Sequence, residues 1–157
     1  MSSQDGDSEA PQTDADGFEA VITGSYEGAV SGNGVLRLLP DAGFENQGYW
    51  FLADGQGVRA HGVTFVLPRT VGPGRHTLES PSALDIGTVP SVRVDRDMGD
   101  STVSSDRNAS GFLDLTAFPD DERNVRGADV TGTFVFETEN RAGDTIQVEG
   151  QFSFRAD

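Results

Sequence analysis

Between Ile146 and Arg155 apolar and polar residues alternate without interruption. Ile146, Val148, Gly150, Phe152 and Phe154 hold one parity, and Gln147, Glu149, Gln151, Ser153 and Arg155 the other. Successive side chains leave a strand on opposite sides, so this period of two predicts a strand with one dry and one wet face. The run before it repeats the pattern: Val130, Gly132, Phe134 and Phe136 oppose Thr131, Thr133 and Glu137, and only Val135 intrudes on the polar side. The segment between the two runs, Glu139 to Asp144, is polar and contains Gly143, the composition of a hairpin loop. Symmetric closure of that loop pairs Phe136 with Ile146, Phe134 with Val148 and Val130 with Phe152, and sets Gly132 beside Gly150. Paired glycines would let the hairpin bend or let an aromatic from a facing sheet approach the backbone; the functional alternative is a ligand slot.

The remainder of the chain also reads as short strands. With 20 Gly and 7 Pro among 157 residues, every apolar run is cut before a helix of ordinary length could form. Runs rich in β-branched and aromatic residues recur at 18–23, 26–31, 35–39, 49–53, 63–67, 75–79, 91–95 and between Ser110 and Phe118. About nine to eleven strands are expected, as an antiparallel β-sandwich, with a closed lipocalin-like β-barrel as the alternative. Residues 1–17 carry Asp5, Asp7, Glu9, Asp14 and Asp16, no base and almost no aliphatic bulk, the composition of a disordered acidic linker. A single β domain is expected over 18–157.

Charge and composition exclude several functions. The net charge is −15, and without the five tail acids 21 acidic residues still face 11 basic ones, a net of −10. Such a field repels phosphate backbones and anionic headgroups, which argues against nucleic acid or a lipid surface as partner. All 11 basic residues are Arg, a usage that reads as genome composition. The absence of Cys excludes thiol catalysis, zinc fingers and iron–sulfur clusters. The longest apolar runs, such as Tyr49 to Ala53, are far too short for a transmembrane helix.

Few residues suggest chemistry. His61 and His76 are the only histidines, and no Gly-x-Ser-x-Gly motif accompanies them, so the expectation is a non-enzymatic protein in which neither histidine has a catalytic role. Asp95, Asp97 and Asp100 lie close enough in sequence to offer oxygen ligands to Ca²⁺ from one loop, although the pattern is not an EF-hand and a solvated loop is the plainer reading. Tyr49, Trp50 and Phe51 gather three aromatics on one run. An outward Trp50 would make a stacking platform for a sugar or an apolar partner, whereas an inward one would be core. The sequon Asn108-Ala109-Ser110 is short enough to arise by chance.

The order Gly111-Phe112-Leu113-Asp114-Leu115, then Val130-Thr131-Gly132-Thr133-Phe134-Val135-Phe136, then Val148-Glu149-Gly150-Gln151-Phe152-Ser153-Phe154 resembles the end of uncharacterised bacterial envelope lipoproteins of all-β, sometimes lipocalin-like, fold. The resemblance covers the last third of the chain and implies an exported protein of the cell envelope, periplasmic or secreted. In such proteins a polar linker follows a lipidated Cys; the tail here is similar to that linker, and an anchoring Cys would lie upstream of Met1. The pattern consists of core positions, so it carries over no functional residue. Three functions follow as expectations. The first is a non-enzymatic envelope or secreted domain binding a protein partner or ligand. The second is a calcium-assisted or aromatic-platform carbohydrate-binding module, and the third a small lipocalin-like carrier of an apolar molecule.

The acid excess also predicts adaptation to a saline medium, because salt screens the self-repulsion that opposes compaction. The melting midpoint is expected to climb steeply from low to molar NaCl, and a flat response in a thermal scan removes this reading.

Overall fold

The alternating runs form ten strands and no helix among the described residues, which are 17–39, 49–54, 62–81, 89–120 and 125–156 of a computed structural model. They are β1 (Gly17–Gly24), β2 (Gly28–Gly32), β3 (Val35–Leu39), β4 (Tyr49–Ala53), β5 (Gly62–Pro68), β6 (Gly74–Leu78), β7 (Ser91–Asp97), β8 (Thr102–Ala117), β9 (Asp129–Asn140) and β10 (Thr145–Arg155). All belong to one antiparallel sheet in the order β2-β1-β10-β9-β8-β7-β5-β4-β3, with β6 paired to β8. The sheet is curled into a half-barrel. It bends as a barrel would, while its two halves meet face to face as the layers of a sandwich would. Periodicity reports which way a side chain points but not whether the next strand stays in the same sheet, and for that reason the sequence left both layouts open.

The order is a meander interrupted in two places. First and last strands pair, and successive strands are neighbours except that β6 pairs with β8 instead of with β5 or β7 and that β2 and β3 lie at opposite edges of the sheet. Only Asn33 and Gly34 separate them in the chain. Gly34 has φ of 77°, its amide donates to the Asp54 carbonyl at 3.2 Å, and a Cβ there would run into the Phe154 ring. The left-handed backbone and the ring contact both demand glycine, and they hold one sheet edge against the other.

Inside the curl sits a phenylalanine cluster. Phe65 of β5 lies 5.0 Å from Phe134 of β9 and 6.4 Å from Phe18 of β1, while Phe18 stacks on Phe152 of β10 at 5.6 Å. These separations suit offset and edge-to-face ring contacts. β5 therefore meets β1 and β9 through side chains where no backbone pairing joins them. The alternation is realised throughout, with Ile146, Val148, Phe152, Phe154, Val130, Phe134 and Phe136 all buried.

The register of the C-terminal hairpin differs from symmetric closure. Phe136 pairs with Val148, Phe134 with Gly150, Gly132 with Phe152 and Val130 with Phe154. The two glycines are thus not side by side, because Asn140 moves the centre of the turn. Its side-chain oxygen accepts from the Ala142 and Asp144 amides at 2.9 and 3.0 Å, and its own amide donates to the Asp144 carbonyl at 3.1 Å. Each glycine instead lies under a ring of the neighbouring strand. A Cβ on Gly150 would be 2.6 Å from Phe134 Cζ, and one on Gly132 2.7 Å from Phe152 Cζ. The aromatic covers backbone that the glycine leaves bare.

β8 is longer than expected, beginning at Thr102 instead of near Ser110. Residues 102–109 are too polar to read as a strand, but β7 pairs with Thr102 to Ser105, and β9 pairs along it from Ser105 to Ala117 with three shifts of register. The register slips between Arg107 and Ser110, where Asn108 has φ of 52°. Thr138 donates to the Arg107 carbonyl at 3.0 Å, and the Ala109 amide donates to Ser80 Oγ at 2.8 Å, which satisfies groups the bulge takes out of the ladder.

Replacing Gly150 with Ala is expected to destabilise the fold by about 2 kcal/mol, since the added methyl meets the Glu19 carbonyl as well as the Phe134 ring. A urea titration checks this: the midpoint should fall with the slope unchanged.

Candidate functional site

The inner face is packed with rings, so chemistry available to a partner lies on the outer face, where odd-numbered residues of β1, β2, β9 and β10 point to solvent. Strand register assembles them into rows across the sheet. One row runs Ala29, Val21, Glu149, Val135, Phe112, Thr77, each residue paired with the next. The adjacent row runs Ser31, Glu19, Gln151, Thr133, Asp114, Arg75 in the same way. Val21, Val135 and Phe112 are 55%, 53% and 39% exposed, three of the five large apolar residues that stand out in solvent among those described. The first row is therefore mainly apolar and the second mainly polar, and an open groove of about 630 Å³ runs between them from β2 to β8.

The groove ends at Asp114 of β8, which is paired with Arg75 of β6. Arg75 donates from Nε to Asp114 Oδ1 at 2.8 Å and from Nη2 to Oδ2 at 3.1 Å, and its guanidinium lies 4.7 Å from the centre of the Phe112 ring. The two-pronged bond holds the guanidinium flat, which suits it to a ring face. The same bond holds the Asp114 carboxyl below the usual carboxylate range and raises Arg75. Along the rest of the face Glu19, Glu137 and Glu149 have no ion-pair partner among the described residues, so the groove is electrically negative between Val21 and Val135.

The residues singled out from sequence fall elsewhere. Trp50 is 2% exposed, packs edge-on against Phe118 at 5.2 Å and donates from Nε1 to the Arg69 carbonyl at 3.1 Å. It offers no face to a sugar. Phe51 is half-buried on the opposite side of β4, and the Tyr49 side chain lies outside the described residues. Asp95 Oδ1 accepts from Ser104 Oγ at 2.6 Å and its Oδ2 lies 3.3 Å from Arg93 Nε, while Asp97 accepts from the Gly99 amide at 2.8 Å. Asp100 is exposed. Among the described residues no three His, Asp or Glu side chains gather in a metal-holding arrangement, those three aspartates included. His76 Nε2 meets the Gly72 carbonyl at 2.7 Å and so must carry the proton there, while His61 lies outside the described residues. The slot considered at Gly132 is a niche of about 70 Å³ among Thr131, Thr133 and Ser153, room for a water or two.

A second polar feature lies at the end of the curl. Arg96, on the inward parity of Val92 and Val94, sits 3.9 Å from the ring centre of Tyr26 in the β1–β2 turn, and so ties that turn to β7. The Tyr26 hydroxyl is buried with no hydrogen-bond partner among the described residues. Burial raises its pKa, against a lowering by Arg96, with a smaller increase from Asp95.

Comparison with known proteins finds no matching family model, no matching curated protein and no matching solved structure. The resemblance carried by the C-terminal third thus rests on its core pattern alone.

Tyr26→Phe is expected to raise stability by about 1 kcal/mol, because it removes a buried hydroxyl that has no hydrogen-bond partner among the described residues. In the parent chain the neutral phenol is favoured by the fold, so its contribution is complete below pH 10 and is lost as pH rises through the raised value. Denaturation at pH 7 and 11 should show a steeper alkaline loss for the parent than for the variant; a destabilised variant would mean the hydroxyl has a bonding partner.

Proposed function

We propose that this chain is a non-enzymatic binding module that engages a protein partner through the outer face of β2-β1-β10-β9-β8. One observation carries the reading. Val21, Val135 and Phe112 lie on parities that are otherwise polar, on strands far apart in sequence, and register brings them into one row. Scattered surface apolar residues need no explanation, but three brought into one row beside a groove favour a contact surface. Phe112 under Arg75 adds an aromatic and an arginine, residue types enriched at protein interfaces.

The other readings have less support. A glycan module needs a free aromatic face, and Trp50 is buried while Arg75 occupies a face of Phe112. A carrier needs an apolar hollow, and the interior is occupied by Phe18, Phe65, Phe134 and Phe152. The resemblance to envelope lipoproteins supports placing the module in the cell envelope or outside the cell.

Placing a photo-crosslinking amino acid at Val135 in the producing cells, with one at Met98 as an exposed control, tests the reading. A discrete adduct at Val135 and none at Met98 is expected. The same diffuse adducts at both positions, or none at Val135, would remove it.

A further inference from the structure

We infer that the occupant of the outer groove is a cationic amphipathic helix of a partner protein, an inference that rests on the binding-module reading and specifies its partner. Three properties of the groove lead there. First, its floor is made of β1, β10 and β9, each paired on both sides, so the floor has no free backbone groups for an added strand. A segment lying across it must satisfy its own backbone, and the helix is the element that does so. Second, its walls differ. Ala29, Val21 and Val135 line one side and Ser31, Gln151 and Thr133 the other, which matches a helix with one aliphatic stripe and a polar flank. Third, Glu149 stands in the apolar row and Glu19 diagonally across from it, both without an ion-pair partner among the described residues. Arg or Lys beside the aliphatic stripe of the helix would complement this pair, and the −15 charge of the chain would draw such a segment in.

The groove crosses five strands, a span of about 19 Å at the usual interstrand spacing. A helix of about 13 residues covers that distance. A second copy of this chain fits poorly, since it would set Glu19 and Glu149 against an equally acidic face.

The test is a titration of the full ¹⁵N-labelled chain with a 14-residue peptide of Leu, Arg and Gln. Its leucines recur every third or fourth residue, and a scrambled peptide of equal composition serves as control. Amide shifts are expected around Val21, Val135 and Gln151, with tighter binding of the patterned peptide. Val135→Asp should weaken binding about tenfold although it adds an acid, and Glu149→Gln should weaken it and flatten its salt dependence. Both positions are exposed, and the spectrum of each free variant reports whether it has folded. Equal binding of the scrambled peptide, tighter binding by Val135→Asp, or shifts centred elsewhere would mean attraction by bulk charge and overturn the inference. So would a dimer of the free chain that Val135→Asp dissociates. A discrete crosslink at Val135 combined with any of these failures would leave the binding module standing and remove only its helical, cationic partner.

Discussion

Phe65 reaches across the curl to Phe18, Phe134 and Phe136, and most other features of the fold are arranged around that contact. Strand pairing accounts for neighbours along the sheet, but β5 and β1 are not neighbours, and the rings of Phe65 and Phe18 bring them into contact. Burying aromatic area of this kind is among the largest favourable contributions available to a domain without disulfides. The cluster also explains the small residues around it. Gly132 and Gly150 are bare because rings lie across them, and Ala20 faces Gly150 where any larger side chain would compete for the same volume.

The closure at Asn33 and Gly34 follows from the same packing. Once the halves are held face to face, the chain leaving β2 at one edge is already close to the other, and two residues suffice to cross. Phe154, which continues the inward row of β10, makes the crossing specific to glycine. The edge hairpin β1–β2 is held at its turn by the stacking of Tyr26 on Arg96. A buried hydroxyl with no partner among the described residues is the local cost of that arrangement.

The outer face follows from the inner one. With the even positions of β1, β9 and β10, and Leu113 and Leu115 of β8, committed to the core, the opposite positions must face water, and most are Glu, Gln, Ser, Thr or Asp as solubility requires. Val21, Val135 and Phe112 depart from that rule. The inner packing does not explain them, since none points inward, and a contact surface accounts for all three together. The sequence holds a trace of this, because each breaks the polar parity of its own strand. Such a break on one strand is unremarkable; three become a site only when register places them in line.

Alternation by itself determined that the chain is all-β, which face of each strand is dry, and that Phe134, Phe136, Phe152 and Phe154 are core, because side-chain direction along a strand depends on nothing beyond parity. The sequence allows Trp50 to face either way, and tertiary contact with Phe118 decides that it is buried. Only the tertiary structure decided that the strands form one curled sheet, that the hairpin turns about Asn140 with glycines under rings, and that the polar stretch from Thr102 is strand. It also decided which outward residues are neighbours. Each of these depends on pairing between segments remote in sequence, and periodicity within one strand contains no information about its partner or its register.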